Sequence, residues 1–121
     1  MMVNIGKSCA VESVDLHNGE TVLHATKRVL IGPKQGAKNF VMRLFTLGEG
    51  GCSPYHTHPW EHEVFILSGN GTVKSAHGST AVTARDFVYV PPNDEHQFLN
   101  AGSEPFEFLC LVPPSGEETG G

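Results

Sequence analysis

Residues 50–63 read Gly50-Gly51-Cys52-Ser53-Pro54-Tyr55-His56-Thr57-His58-Pro59-Trp60-Glu61-His62-Glu63, which puts three of the seven histidines within one short stretch. His56 and His58 are two apart. On a strand successive side chains alternate faces, so both rings would point to the same side. Pro59 cannot donate to a ladder and ends that strand. His62 then heads the β-prone run Val64-Phe65-Ile66-Leu67, which closes at Ser68-Gly69-Asn70-Gly71. The expected arrangement is a hairpin with two histidines on one arm and one on the next. Neutral imidazole is the commonest side-chain metal ligand. A His-x-His pair alone is ordinary composition, but a fourth histidine, His96, begins a strand after the turn-forming run Pro91-Pro92-Asn93-Asp94-Glu95. Four histidines converging from neighbouring strands predict a metal site.

The rest of the chain bounds what such a site can belong to. At 121 residues it makes one domain, able to bury roughly two thirds of its unfolded surface. The formal net charge is −5 with no cluster of Lys or Arg, which argues against nucleic acid or an anionic membrane as partner. No run has the length of a transmembrane helix, and the first residues lack the apolar core of a signal peptide, so a cytoplasmic location is expected. Cys9, Cys52 and Cys110 are odd in number and lack C-x2-C spacing, implying neither a disulfide frame nor a cysteine zinc ribbon. Cys52 reads as a loop residue.

No stretch carries helical periodicity over ten residues, whereas about nine short β-prone segments are separated by Gly, Pro and Asn turns. That pattern predicts an all-β sandwich or barrel. Residues 1–26 read as N-terminal strands or an arm, with a turn at Asn18-Gly19; residues 27–112 form the barrel; residues 113–121 read as a flexible, solvated tail without a core residue. His17, His24 and His77 have no partners at ligand spacing and are expected at the surface. Residues 39–47 are the longest strand candidate, apolar on both faces except for Arg43, which reads either as one half of a salt bridge or as an anchor for a carboxylate or enolate near the metal. By alternation the expected pocket is lined by Val64, Ile66, Phe98, Phe108 and Cys110. Arg43 and Cys110 are the candidates for a catalytic role, with Cys110 also readable as a small buried hydrophobe.

The spacing resembles that of the cupin superfamily. Its first motif, G-x5-H-x-H-x(3,4)-E-x6-G, is matched by Gly50, His56, His58, His62 and Gly69, with His62 where glutamate is usual. Glu63 fits the longer spacing but leaves the following glycine one residue short, and alternation puts it on the opposite face. His62 is therefore preferred as ligand. The second motif, G-x5-P-x-G-x2-H-x3-N, keeps Pro91, His96 and Asn100 and departs at Arg85 and Asn93. Asn tolerates left-handed backbone, and Arg85 suggests an ordinary turn. The string His-x-His-Pro-Trp-Glu-His-Glu looks like the small manganese-binding cupins with a four-histidine site, a likeness covering most of residues 27–112.

The resemblance implies a double-stranded β-helix of jelly-roll type, a homodimer, and a divalent metal held by His56, His58, His62 and His96. Manganese is the expected ion, and iron, nickel, copper and zinc suit the same nitrogen donors. Trp60 would suit a subunit contact or plug the barrel mouth. Four neutral ligands leave the ion its full charge and favour a small anionic or enolisable substrate. An oxygen- or peroxide-dependent oxidoreductase of dioxygenase type is the first expectation, with Glu61 or Glu63 as the nearest carboxylate. The alternatives are a non-redox isomerase or decarboxylase of a sugar or keto acid, and a cupin that binds metal or a small molecule without turnover.

Overall fold

Alternation of apolar and polar residues along the chain becomes alternation of inside and outside in three dimensions. The structure is a computed structural model that describes residues 2–118. Its strands are β1 (Val14–Asp15), β2 (Leu23–Ile31), β3 (Val41–Cys52), β4 (His62–Ser68), β5 (Asn70–Ser75), β6 (Gly78–Thr83), β7 (Phe87–Val90), β8 (His96–Asn100) and β9 (Phe106–Val112), followed by a one-turn helix, α1 (Pro114–Glu118). The strands form one antiparallel sheet ordered β6-β5-β8-β3-β9-β4-β7, with β2 laid on β3 and β1 on β2. The fold is all-β, and the sheet curls so that one face encloses the core.

Strand β9 sits between β3 and β4 and sets their relation. Cys110 lies opposite Arg43 on one side and opposite Val64 on the other, while Phe108 faces Phe45 and Ile66. Every second residue of β9 is buried, so Phe106, Phe108, Cys110 and Val112 form the spine of the core. In β4 the inward set is His62, Val64 and Ile66, and the outward set is Glu63, Phe65 and Leu67. Gly71 is required where β5 crosses this core, because a Cβ there would enter the Phe106 ring.

Several boundaries differ from the sequence expectation. The barrel takes in β2 from Leu23, so residue 26 falls inside a strand rather than at a domain edge. His56 and His58 are not on a strand. Pro54 and Pro59 keep residues 53–61 irregular, and only His56 makes a bridge, to His96. Arg85 occupies no ordinary turn: its φ is +77°, the left-handed region that its motif position normally gives to glycine, and Asn93 follows at +67°. The C-terminal segment departs furthest. Residues 114–118 fold as α1, Gly116 is buried with room for no side chain (a Cβ would lie 2.9 Å from Trp60 Nε1), and Glu117 pairs with two buried cations. The expected tail therefore supplies a packed cap; residues 119–121 lie outside the described residues. Among the described residues no helix is long and apolar enough to cross a membrane.

Candidate metal centre and its cavity

Two kinds of backbone deliver the histidines. His62 opens β4 and His96 opens β8, so strand geometry aims both inward. His56 and His58 come from the irregular segment 53–61. That segment is tied to β8 by paired backbone hydrogen bonds between His56 and His96, at 3.2 and 3.1 Å, and by Ser53, whose N–H donates to Phe98 O. Asn93 N–H donates to His58 O at 2.7 Å, closing the second loop onto the first. Three of the four rings are buried and His56 is half-buried.

The four imidazoles meet. Nε2 of His58 lies 3.1 Å from Nε2 of His56 and 3.4 Å from Nε2 of His62, and the His96 ring centroid is within 4.9 to 5.1 Å of the other three. His56, His58 and His96 present ligand nitrogens that all lie within 4.8 Å of one another. His62 joins this trio through His58. Nitrogens bound to one ion at about 2.1 Å sit about 3 Å apart when they occupy adjacent octahedral positions. The observed 3.1 and 3.4 Å separations fit that edge.

The outer nitrogens decide which atom each ring offers. His96 Nδ1–H donates to the Asp94 carbonyl at 2.9 Å, which leaves Nε2 as the free lone pair toward the cluster. His62 Nδ1 contacts Cys110 Sγ at 3.0 Å. His58 Nδ1 is buried without a partner among the described residues, and Trp60, 4.5 Å away between centroids, holds that ring by packing. Trp60 thus lies between His58 and Gly116. Burial first, then the neighbouring imidazoles, holds His56 down to about 4; burial, the other imidazoles and the Arg43 charge hold His62 down to about 3. His58 is lowered too, chiefly by burial. These rings are neutral at pH 7, the state in which a metal can take them.

Beside the cluster is a cavity of about 170 Å³. Of the five residues expected in the lining, Phe98, Phe108 and Cys110 border it and Val64 and Ile66 do not; Arg43, which the sequence left open, borders it too. Val64 and Ile66 are sealed in the core, at 3 % and 0 % exposure, beside Cys110 and Phe108 of β9 on the same face of the sheet. Leu16 and Val22, from the N-terminal segment, and Ser53 and Pro54 complete the walls. None of these four was expected from the sequence, since only the closing of distant segments places them there.

Arg43 is fully buried. Its Nη2–H donates to Cys110 Sγ at 3.1 Å, its Nε–H to the Cys110 carbonyl, and its Nη1 pairs with Glu117 at 3.3 Å; Lys27 takes the other Glu117 oxygen at 2.8 Å. Burial raises the Cys110 thiol, with Arg43 partly opposing it. The expected carboxylates are elsewhere. Glu61 and Glu63 are exposed, and Glu61 accepts the Tyr89 hydroxyl. Glu117, in a segment read as tail, is the carboxylate that matters; the cue was that a buried arginine needs one. Cys52 donates weakly to Thr21 O, Cys9 and His77 are exposed, and His17 accepts the His24 backbone N–H, all away from the cluster.

Comparison with known proteins gives a consistent picture. The family model described as Cupin domain matches residues 43–112. A 71-residue stretch is 37 % identical to 1-methylthio-D-xylulose 5-phosphate methylsulfurylase of Rhodospirillum rubrum, covering 59 % of this chain and 46 % of that protein. A 90-residue stretch is 31 % identical to auxin-binding protein 1 of Arabidopsis thaliana, covering 65 % of this chain and 46 % of that protein. The chain thus spans just under half the length of these two relatives. Among solved structures, the polyketide cyclase RemF from Streptomyces resistomycificus superposes with a TM-score of 0.85 over 93 % of this chain and 80 % of its own, at 24 % identity, a likeness of fold.

Proposed function

This chain belongs to the cupin domain family, and from that premise we propose that it is a metal-dependent enzyme whose four histidines hold one divalent ion. Manganese is the preferred ion, carried by the likeness to four-histidine cupins. The preferred reaction is an oxygen- or peroxide-dependent oxidation of a small anionic or enolisable substrate. Bound among four neutral imidazoles, a divalent ion would supply Lewis acidity at its full charge and, where redox-active, a route for electrons.

The chain's own residues supply the rest. His96, fixed by the Asp94 carbonyl, and His62, held by Cys110, keep their Nε2 atoms on the cluster. Phe98 and Phe108 stack at 4.7 Å and keep water from the cavity wall. The observation that carries the oxidative reading is the absence of any carboxylate among the described residues lining the cavity. Proton abstraction next to a carbonyl, as isomerisation demands, needs a general base within reach. Here the lining offers only imidazoles committed to the cluster and a thiol raised by burial.

The sugar-phosphate name of the Rhodospirillum relative favours the second reading, a non-redox isomerase or lyase. One experiment separates the two. Protein loaded with manganese or iron and given an enediol or a 1,2-diketone should consume oxygen, and protein loaded with zinc should not. Product formed without oxygen and with zinc in place would establish the second reading.

A further inference from the structure

The cavity's walls and its charge bear on what it can hold. A cavity of about 150 Å³ lined by Leu, Ile and Phe takes up benzene; this one is about 170 Å³. Leu16, Val22, Phe45, Leu47, Phe98 and Phe108 line it, and Phe108 stacks on both Phe45, at 5.5 Å, and Phe98, at 4.7 Å. Flat aromatic walls suit a planar guest. A doubly charged group such as phosphate, buried among them, would need a cation or several donors to offset its desolvation.

Among the described lining residues Arg43 is the one permanent cation, and it is already committed to Glu117 and Cys110. Lys27, the nearby second cation, is drawn to the other oxygen of the same carboxylate. Ser53 is a neutral polar side chain of the lining; its hydroxyl oxygen accepts the Phe98 N–H at 2.8 Å, and its single neutral O–H is too little to offset the burial of an anion.

We propose that Glu117 determines specificity: by holding the Arg43 guanidinium it withholds the cavity's cation, so the site takes a single-ring-sized ligand with an uncharged, apolar body and refuses phosphorylated or carboxylated ones. The ligand's other edge, two adjacent oxygens, faces the histidines; that part rests on the metal centre proposed above. Glu117 acts through Arg43 and is a positioning residue.

The test compares 3,4-dihydroxybenzamide with 3,4-dihydroxybenzoate by calorimetry on the full chain as purified, its metal content first measured by elemental analysis. The two probes share size and chelating edge and differ in the far charge. The wild-type protein should prefer the amide by about tenfold or more, and Glu117→Gln should narrow that ratio by a similar factor, since it removes a negative charge held against Arg43 and Lys27 and leaves that wall more cationic toward the carboxylate. Toluene should bind both proteins equally, which reports that the variant's cavity is intact.

Equal affinity of the wild-type protein for the two probes overturns the proposal, as does failure to bind toluene or either probe. So does an unchanged ratio in a Glu117→Gln protein that still takes up toluene. Should the Gln variant not fold, Lys27→Met, which leaves Glu117 to Arg43 and removes the second cation, should widen the amide preference, and an unchanged ratio there overturns the proposal. If the amide preference holds while binding is indifferent to stripping the metal with a chelator, the charge inference stands and the metal reading falls.

Discussion

The two halves of the histidine cluster are held by different means. His62 belongs to a sheet: the register of β4, β9 and β3 sets it diagonally beside Cys110, and Cys110 directly opposite Arg43, so the row runs on through Arg43 to Glu117. His56 and His58 belong to an irregular segment anchored by the bridge to His96 and by Trp60, and His58 Nδ1 lacks a hydrogen-bond partner among the described residues. The sheet half is fixed by many cooperative backbone bonds and by a chain of polar contacts. The loop half is fixed by packing and a few bonds.

The largest test of that contrast removes one ligand from each half. His58→Ala and His62→Ala should each weaken metal binding by more than about 100-fold, the upper range for loss of a mere outer-shell contact. Competition against a chromophoric chelator reads this directly. Full metal retention by His62→Ala would reduce the centre to the three histidines whose nitrogens cluster most tightly.

A smaller effect sharpens the rigid half. Cys110→Ala should lower stability to denaturant by about 1–3 kcal/mol, because it leaves buried donors of Arg43 and His62 without their acceptor. A loss under about 0.5 kcal/mol would mean that the sulfur is only filling space.

The mildest effect is in pH. His56, at about 4, and His62, at about 3, bind protons less readily in the folded protein than the ordinary imidazole at about 6.5. Between those values the unfolded chain holds more protons. The metal-free protein should therefore keep its full stability above about pH 6.5 and lose it progressively as pH falls toward 4. Chemical denaturation from pH 7 down to 4 checks this, and a flat profile would place these rings in contact with water. The His62→Ala variant should show a shallower decline than the parent, which ties part of the slope to the sheet half.

Much of the fold could be read before any coordinates. The β-prone run headed by His62 becomes β4 and ends at Ser68 beside its glycine turn, and His96 opens β8 after the turn-forming run before it. Gly, Pro and Asn punctuation marked most of the turns, and the motif spacing singled out the four histidines that meet. Local chemistry was enough for this, because strand period and turn residues are set by the chain within a few positions.

What required the tertiary structure is whatever depends on two distant segments closing together. Val64 and Ile66 have the right period for a pocket wall and share a face with Cys110 and Phe108, yet the packing around them closes them into the core. Leu16 and Val22 become cavity wall only because the N-terminal segment folds over the barrel. Glu117 sits in a polar, glycine-rich stretch that reads as solvent, and it becomes the partner of Arg43 across 74 positions of sequence. The sequence alone determined which residues could ligate a metal and which face of each strand would be apolar. The fold decided which cations are paired away from a ligand, because charge pairing across the barrel is a property of distance in space, to which spacing along the chain gives no guide.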